Sequence, residues 1–422
     1  MARTLTPRDC HALINLIVKE ATGQDATIQA VDSSTFVSCG EAILASGMEN
    51  TLNALSLVLG RTFMAVRPYS GKLRVINSID TGEYAHRLRK ISFYSRESQA
   101  SGDWNTQSFD NLVMGYDNGT NAGASTPSMW EQNQPVPLEL NFGGSSVWED
   151  STTIYEYQVK QAFRSEEDFA QFVSGILTEK GNDIESQKEA FNRMTLLNHM
   201  AGLYDLGAAV VAPKVRRNLT YDYNAKFGTS YTTAQLLSTQ LKSFLEFFVA
   251  EFKKESDWMT NRSAARHWSP AKTIGGVNYT LLRHTPKDRQ KAVLYRPLFT
   301  EAEALVMPEI FNPQYLDINN YEGVDYWQNA NDPMKIDVVP AIPDSTSPGF
   351  PTVSGSEVNT TVIGMLFDTD AIMVDYQLER QAVTPLEARK GYRNLWWTFS
   401  KNAIGDFTEN AVLFFMEDPS EP

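Results

Sequence analysis

The chain has 422 residues, of which 42% are hydrophobic and 21% are charged, a balance typical of folded globular proteins. Its 51 acidic and 37 basic residues give a formal net charge of −14, which repels phosphate groups and argues against a dedicated nucleic-acid-binding protein. The two cysteines are too few for a disulfide framework, and no apolar run reaches the roughly 18 residues that a membrane span requires. We therefore expect a chain that folds in a reducing cytoplasm.

Two helices are predicted near the N-terminus. Thr6 is a good helix cap, Pro7 suits the first helical position and Gly23 ends the apolar periodicity. A second helix is predicted over about residues 41–59, where apolar residues recur at helical spacing.

Strands and a long polar segment follow. Residues 72–79 and 86–95 alternate apolar with polar residues on either side of a short turn, which predicts a hairpin. Residues 97–146 lose this periodicity and are rich in Gly, Ser, Asn and Gln, over a length that compact domains rarely leave without structure. Their aromatic residues favour a loop that becomes buried elsewhere over a disordered segment. Residues 152–163 alternate again and predict a returning strand.

The strongest helix signal lies in the middle of the chain. Ser165 and Asp168 form a capping box, and apolar spacing continues to about Asp205, with a bend at Gly181 as the alternative to a straight helix. This pattern predicts one long helix.

Two further capping boxes follow. Thr232 with Gln235 predicts a helix with a broad apolar face, and Thr300 with Glu303 predicts a short helix that ends at Pro308.

The C-terminal region is predicted to be β-structure from about residue 360. Trp396 and Trp397 are neighbours in one of these segments, so their rings should point to opposite sides of a strand. Phe414 and Phe415 are also neighbours, so one ring of each pair should point away from the core. We expect this second ring to be covered by another element or another subunit.

The sequence contains no common catalytic signature: it has no glycine-rich phosphate loop, GxSxG, HExxH or CxxC motif. The five histidines are scattered, and His199 is interpreted as a packed or solvated side chain. Asp368 and Asp370 are better interpreted as a polar turn between buried strands than as ligands of a cation. Two basic patches, at residues 213–218 and 285–291, favour a solvated face or intersubunit salt bridges over nucleic-acid recognition.

The order of these segments resembles that of the major capsid proteins of tailed bacteriophages, which have the Hong Kong 97 fold. The resemblance is most specific in VIGMLFDTDAIMVDYQLERQAVTPLEARKGYRNLWWTFSKNAIGDFTENAVLFF, where an aspartate turn, a tryptophan-rich strand and the pattern D-x-x-x-N-A/G-V-hydrophobic follow one another. A second stretch, RPLFTEAEALVMPEIFNPQYL, is similar to a middle segment of the same proteins.

This resemblance implies an α+β fold with five parts. They are an N-terminal arm with helices (1–66), an extended loop with a long polar hairpin that reaches over a neighbour (67–163), a peripheral domain with a spine helix (164–212), an axial domain (213–356) and C-terminal strands that close the peripheral and axial sheets (357–422).

The resemblance also implies a function. The chain would be a non-enzymatic subunit that assembles as hexamers and pentamers into an icosahedral shell around double-stranded DNA, in the host cytoplasm and then in the virion. It would need no cofactor, metal or membrane, and its contact with the packaged DNA would be non-specific. Expected partners are a portal and decoration or head-tail proteins. Some family members begin with a long, highly charged scaffolding segment, and its absence here implies a separate scaffolding protein or none.

Candidate contacts between subunits are the aromatic residues of the loop and of the tail: Trp104, Phe109, Tyr116, Trp130, Trp148, Trp396 and Trp397. Some members of the family crosslink neighbours through Lys and Asn side chains, and Lys72 and Lys90 lie in the expected loop.

Two other functions stay open at this point. A phage tail or adhesin-type binding protein would more often show β-repeats, and no repeat is visible. A hydrolase would be supported only by the aromatic-rich loop and by scattered acids such as Asp368 and Asp370.

Overall fold

The computed structural model describes residues 12, 14–19, 33–45, 72–79, 87–95, 135–143, 146–164, 166–208, 215–270, 272–274, 277–305, 321–344 and 352–418. Everything below concerns these residues.

The helices differ greatly in length, and one of them is much longer than the rest. Residues 14–19 are helical, as predicted, with Ile14 and Ile17 buried. The other helices are α1 (Ser33–Ala45), α2 (Glu156–Ala162), α3 (Glu166–Ala208), α4 (Leu219–Phe227), α5 (Thr233–Leu236), α6 (Leu241–Met259) and α7 (Arg296–Leu305). No helix among the described residues is long and apolar enough to cross a membrane.

Most of the strands belong to two sheets. The four-stranded sheet has the order β1-β14-β15-β4, formed by β1 (Asn77–Ser78), β4 (Ser146–Tyr155), β14 (Ile372–Val383) and β15 (Tyr392–Gly405). The six-stranded sheet has the order β5-β16-β13-β8-β9 with β10 also paired to β13, and comprises β5 (Arg216–Asn218), β8 (Gln290–Tyr295), β9 (Tyr321–Val324), β10 (Lys335–Val338), β13 (Val358–Asp368) and β16 (Ala411–Met416).

Three two-stranded ribbons complete the described β-structure. They pair β2 (Arg87–Phe93) with β3 (Pro137–Gly143), β6 (Lys272–Ile274) with β7 (Val277–Tyr279), and β11 (Ala341–Pro343) with β12 (Thr352–Ser354). The β2–β3 pair is called the β-ribbon below.

The main core lies between α6 and the six-stranded sheet. Every residue of β8 and β16 is buried, as expected for strands that are covered on both faces. The Phe414 ring packs 5.6 Å from that of Phe248 and 5.5 Å from that of Phe252, both on α6. The indole of Trp327 is fully enclosed and donates a hydrogen bond to the Val362 carbonyl oxygen at 2.8 Å.

Helix α3 connects the two sheets. Its 43 residues span roughly 65 Å, and it is one continuous helix through Gly181, as the sequence predicted. Tyr376 of β14 donates its hydroxyl to the Lys188 carbonyl oxygen at 2.9 Å, while farther along α3 the Tyr204 ring packs 5.0 Å from that of Phe415 on β16. The predicted capping residue Ser165 lies outside the described residues.

The predicted strand at residues 72–79 is wrong except for Asn77 and Ser78. The Glu322 carboxylate accepts the backbone N–H groups of Leu73 and Val75, and Leu73 takes a left-handed conformation with φ of 63°. The predicted hairpin partner is therefore also wrong, because β2 pairs with β3 instead. Contacts with distant side chains override the local alternation here.

Three other boundaries differ from the predictions. The returning strand ends at Tyr155, where the Gln158 side chain accepts the Tyr155 N–H and α2 begins. The capping box at Thr232 is confirmed, but α5 stops after one turn and α6 starts separately. Helix α7 begins at Arg296, so Thr300 lies inside it and donates its hydroxyl to the Arg296 carbonyl oxygen. Pro308 and the segment around it lie outside the described residues.

Gly364 in β13 provides a test of the core packing. A Cβ at this position would lie 2.6 Å from the Val293 carbonyl oxygen, so we expect Gly364→Ala to lower the free energy of unfolding by about 1–3 kcal/mol. Gly175 in α3 meets nothing within 4 Å, and Gly175→Ala should raise stability by up to about 1 kcal/mol through helix propensity. Urea denaturation of the purified subunit would measure both, and equal effects of the two substitutions would contradict this packing.

Candidate functional site: the β-ribbon and the turn that anchors it

The β-ribbon presents two chemically different faces. Successive side chains of a strand point to opposite sides, so Lys90 and Ser92 face the body of the protein while Ile91 and Phe93 face away from it. Ile91 is 52% exposed and Phe93 is 61% exposed. Pro137, the cross-strand partner of Phe93, is exposed beside them. These three residues are called the outer patch.

An ion pair lies next to the outer patch. Arg89 Nη2 is 2.7 Å from Glu139 Oε2, and the Asn141 amide donates to Glu139 Oε1 at 3.2 Å. The hydrogen bonds from Arg89, which has the larger effect, and from Asn141 lower the pKa of the Glu139 carboxyl. The outer face of the β-ribbon thus combines apolar surface with a polar margin, the composition typical of protein–protein contacts.

The inner face of the β-ribbon packs on a small apolar cluster. Tyr94, Leu138 and Leu140 are buried together with Leu281 of the body. Backbone hydrogen bonds between Ser95 and Thr280, at 2.8 and 3.2 Å, continue this contact. Three partly buried apolar side chains pack against this cluster, which is much smaller than the main core.

Charged side chains supply a second attachment. Lys90 Nζ pairs with Asp406 Oδ2 and with Glu409 Oε1. Arg283 donates to the Ser92 hydroxyl at 2.6 Å and to the Thr408 carbonyl oxygen at 3.2 Å, and its Nε lies 3.5 Å from Glu409 Oε1. Burial raises the pKa of Glu409 above its ordinary value, although both cations oppose that effect.

Residues 406–410, called the anchoring turn below, connect β15 to β16. Asp406 Oδ1 accepts the Thr408 N–H at 2.9 Å and the Thr408 hydroxyl at 2.7 Å, which closes the turn on itself. The backbone of the turn also bonds to the body: Asp406 N–H to the Ala371 carbonyl oxygen and Trp268 N–H to the Phe407 carbonyl oxygen, both at 2.8 Å. The turn is therefore a rigid part of the body.

Phe407 fixes the anchoring turn to α3. Its ring stacks on that of His199 with centroids 4.5 Å apart and planes 9° from parallel. His199 is fully buried, and neither of its ring nitrogens has a hydrogen-bond partner in the described part of the chain. Burial lowers the pKa of His199 to about 4, although the charge of Asp406 opposes the shift. The sequence-based interpretation of His199 as a packed residue is confirmed.

A chain of buried hydrogen bonds continues from the turn into the core. His267 Nδ1 lies 3.2 Å from Asn410 Oδ1, the Asn410 amide donates to the Thr285 hydroxyl at 3.2 Å, and this hydroxyl donates to Asp368 Oδ2 at 2.7 Å. Burial, the largest effect, lowers the pKa of His267 to about 4. Asn410 belongs to this chain of hydrogen bonds, and Asp406 closes the anchoring turn. The Asp and the Asn of the D-x-x-x-N pattern therefore both have structural roles.

Asp368 and Asp370 form the polar turn that the sequence predicted. Asp368 ends β13, β14 begins at Ile372, and the Asp370 N–H donates to Asp368 Oδ1 at 2.9 Å. Arg289 pairs with Asp370. Both carboxylates are engaged by protein donors, and no group of three or more potential metal-ligating side chains occurs in the described residues.

An open groove of about 720 Å³ runs beside α3, between Met194 and Val339. Its two ionic residues neutralise each other, since Arg193 Nη2 lies 2.9 Å from Glu189 Oε1. Both ionic side chains of the groove are thus paired within the chain.

The predicted aromatic contacts fall into two groups. Trp104, Phe109, Tyr116 and Trp130 lie outside the described residues. Trp148 on β4 is 48% exposed, with Lys401 Nζ 4.1 Å from its ring centroid. Trp396 is half-buried and Trp397 is 2% exposed, so the two rings do differ in burial as predicted for a strand. Trp397 has little surface left to offer to a neighbour.

Phe414 and Phe415 are covered by other elements of the same chain, which is one of the two alternatives that the sequence left open. Both are buried by their own chain, Phe414 by α6 and Phe415 by Tyr204 and by Arg216, whose guanidinium carbon lies 5.7 Å from the Phe415 ring centroid. Exposed apolar side chains occur on the β-ribbon and also on other described elements, such as Val147 and Trp148 on β4. The sequence signal for those on the β-ribbon was the alternation at residues 86–95, but that pattern does not tell which face is covered.

No family model and no curated protein matches this sequence. Solved structures do match. A chain in the structure of the head fiber and inner core protein gp22 of native bacteriophage P68 is 10% identical with a TM-score of 0.50, and the match covers 82% of this chain and 85% of that one. A chain in the capsid structure of Staphylococcus phage Andhra is 11% identical with a TM-score of 0.48, covering 82% and 84%. The P68 likeness shows that this chain shares the fold of that chain, and the mixed sheets and helices confirm the α+β class.

The burial of His199 predicts a pH-dependent stability. An exposed histidine in the unfolded chain takes up a proton below about pH 6.5, whereas His199 in the folded chain does so only near pH 4, so acid favours the unfolded state. Because of this histidine, the free energy of unfolding should fall by up to about 3 kcal/mol between pH 6.5 and 4. Below pH 4 the histidine should cause no further loss. His199→Leu should remove this part of the loss while His267 keeps its own.

Urea titrations of the purified subunit at several pH values would measure the difference. If wild type and His199→Leu lose stability in parallel between pH 6.5 and 4, His199 is not buried as a neutral ring.

Proposed function

We propose that this chain is the major capsid protein of a tailed bacteriophage, and that many copies assemble into the icosahedral shell that encloses the double-stranded DNA genome. The observation that carries the proposal is the outer patch: the β-ribbon directs Ile91 and Phe93 away from the body, and the described part of the chain leaves them exposed. The fold shared with a chain of the phage P68 head supports the same conclusion. A shell built from one protein needs such self-complementary surface on every copy.

This proposal assigns a role to each segment of the chain. Residues 67–163 would be the extended loop that reaches a neighbour, with the β-ribbon as its base, and residues 1–66 would be the N-terminal arm. Residues 164–212 would form the peripheral domain around α3, residues 213–356 the axial domain, and residues 357–422 the strands that close both sheets. The two sheets joined by α3 support this arrangement.

The proposed partners are copies of the same chain in hexamers and pentamers, a separate scaffolding protein, a portal, and decoration or head-tail proteins. Trp148 and Trp396 are proposed as further contacts between copies, because their rings keep accessible surface. The net charge of −14 suits a wall that encloses DNA without trapping it, so contact with the genome would be non-specific. The assembled protein would reside in the virion after assembly in the host cytoplasm.

A structural rather than an enzymatic role is supported by the chemistry of the described residues. The carboxylates that would have served a hydrolase, Asp368 and Asp370, are held by Thr285 and Arg289. His199 and His267 are buried, and neither faces the groove beside α3. A tail or adhesin-type protein gains no specific support.

Substitutions in the outer patch test the proposed function. Ile91→Asp combined with Phe93→Asp should abolish closed particles, because a charged side chain in the centre of an interface costs about 2 kcal/mol or more at each contact of the shell. The subunit itself should stay folded, since both side chains point away from the body. Phe93→Leu is the matched control, and it should assemble because it keeps the apolar contact.

Electron microscopy after co-expression with the head proteins of the same phage would show the particles, and circular dichroism would check the fold. Normal particles from the double aspartate variant would exclude the outer patch as a contact. Failure of the wild-type chain to form any particle under these conditions would contradict the capsid function.

A further inference from the structure

The charges between the β-ribbon and the body form a balanced set. Lys90 and Arg283 supply two positive charges, and Asp406 and Glu409 supply two negative ones. The side chain of Asp406 is 1% exposed and that of Glu409 is 12% exposed, whereas that of Lys90 is 23% exposed. Four charges of this kind are tolerated in a partly dry site because each one has an opposite partner within reach.

The four groups are not equally free to move. Arg283 is bound to the Thr408 carbonyl oxygen, and Asp406 and Glu409 belong to the anchoring turn, which is tied to the body through its own backbone. Lys90 comes from the β-ribbon, whose other attachments are the small cluster around Leu281 and hydrogen bonds of Ser92 and Ser95 to the body. If the charge of Lys90 is lost, Asp406 loses its ion pair with Lys90 and Glu409 keeps its 3.5 Å contact with Arg283. Detachment of the β-ribbon would let water reach both carboxylates and would offset the loss of that ion pair.

We propose that Lys90 is the positioning residue of the β-ribbon. Its two ion pairs, called the latch below, hold the β-ribbon on the anchoring turn in the orientation that directs the outer patch towards a neighbouring copy. Without the latch the β-ribbon detaches as a unit, while the two sheets stay folded. The role in assembly rests on the proposed function, but the latch itself is a property of the single subunit.

The orientation follows from strand geometry. Because side chains alternate, placing Lys90 and Ser92 on the body leaves Ile91 and Phe93 on the outside. The Ser92 hydroxyl, which accepts from Arg283, reinforces the same choice of face. A β-ribbon that is released and turned over would hide the outer patch and expose Lys90 instead.

The chain contains its own control for this proposal. Arg89 is adjacent to Lys90 and also makes an ion pair, but its partner Glu139 lies on the same β-ribbon and on its outer face. Loss of the Arg89 charge therefore removes an ion pair of the β-ribbon without touching the contact with the body. Any effect of a Lys90 substitution that exceeds that of the matching Arg89 substitution is due to the latch.

Hydrogen exchange measured by mass spectrometry on the purified full-length subunit tests the latch. In Lys90→Met, amides of residues 87–95 and 135–143 should exchange at least about ten-fold faster than in wild type, while those of β13 and β16 keep their protection. Arg89→Met should leave both regions unchanged, and Lys90→Arg should restore the slow exchange because it keeps the charge. Lys90→Gln serves as a second variant if Lys90→Met does not fold.

Each outcome is decisive. Unchanged exchange of the β-ribbon in Lys90→Met and Lys90→Gln would overturn the latch, and so would a uniform increase that includes β13 and β16, because Lys90 would then be a general stability residue. Particle formation, scored separately by electron microscopy, should fall in Lys90→Met and recover in Lys90→Arg. A confirmed latch in a wild-type chain that never forms particles would contradict the proposed function but not the latch.

Discussion

The fold depends on how the anchoring turn is held. This turn joins the last strand of the four-stranded sheet to the last strand of the six-stranded sheet, and it is packed between α3, the segments that carry His267 and Arg283, and the β-ribbon. Most of its polar groups have partners, and the buried cations and anions are balanced. Since an unpaired buried charge costs several kcal/mol, these contacts fix the positions of all the elements that meet there.

This arrangement explains why an acidic chain ends in two dense apolar runs. The runs are β15 and β16, and each is an inner strand: β15 lies between β14 and β4, and β16 lies between β13 and β5. The six-stranded sheet is incomplete until Phe414 enters the space between β13 and α6, so the core needs a strand that comes late in the sequence.

Local patterns predicted the elements whose stability is local. Helix α3, the capping box at Thr232 and the C-terminal strands follow from periodicity and capping alone. The partners of the β-ribbon could not be predicted, because Lys90 meets Asp406 across 316 positions in the sequence. The face of β2 that is covered was also unpredictable, because apolar residues occur on both of its faces and the groups that cover one of them, Leu281 and the anchoring turn, are distant in the sequence.

Under the proposed function, the outer patch also has to be harmless before assembly. Exposed apolar residues on a ribbon with open edges favour aggregation, and charged side chains on the same face are a common protection. Arg89 and Glu139 occupy that position beside Ile91. A partner would have to place its own polar groups against this ion pair to reach the apolar residues, which disfavours a random apolar surface. In the proposed assembly, the charges around Lys90 fix the orientation of the β-ribbon, and the charges around Arg89 restrict what it binds.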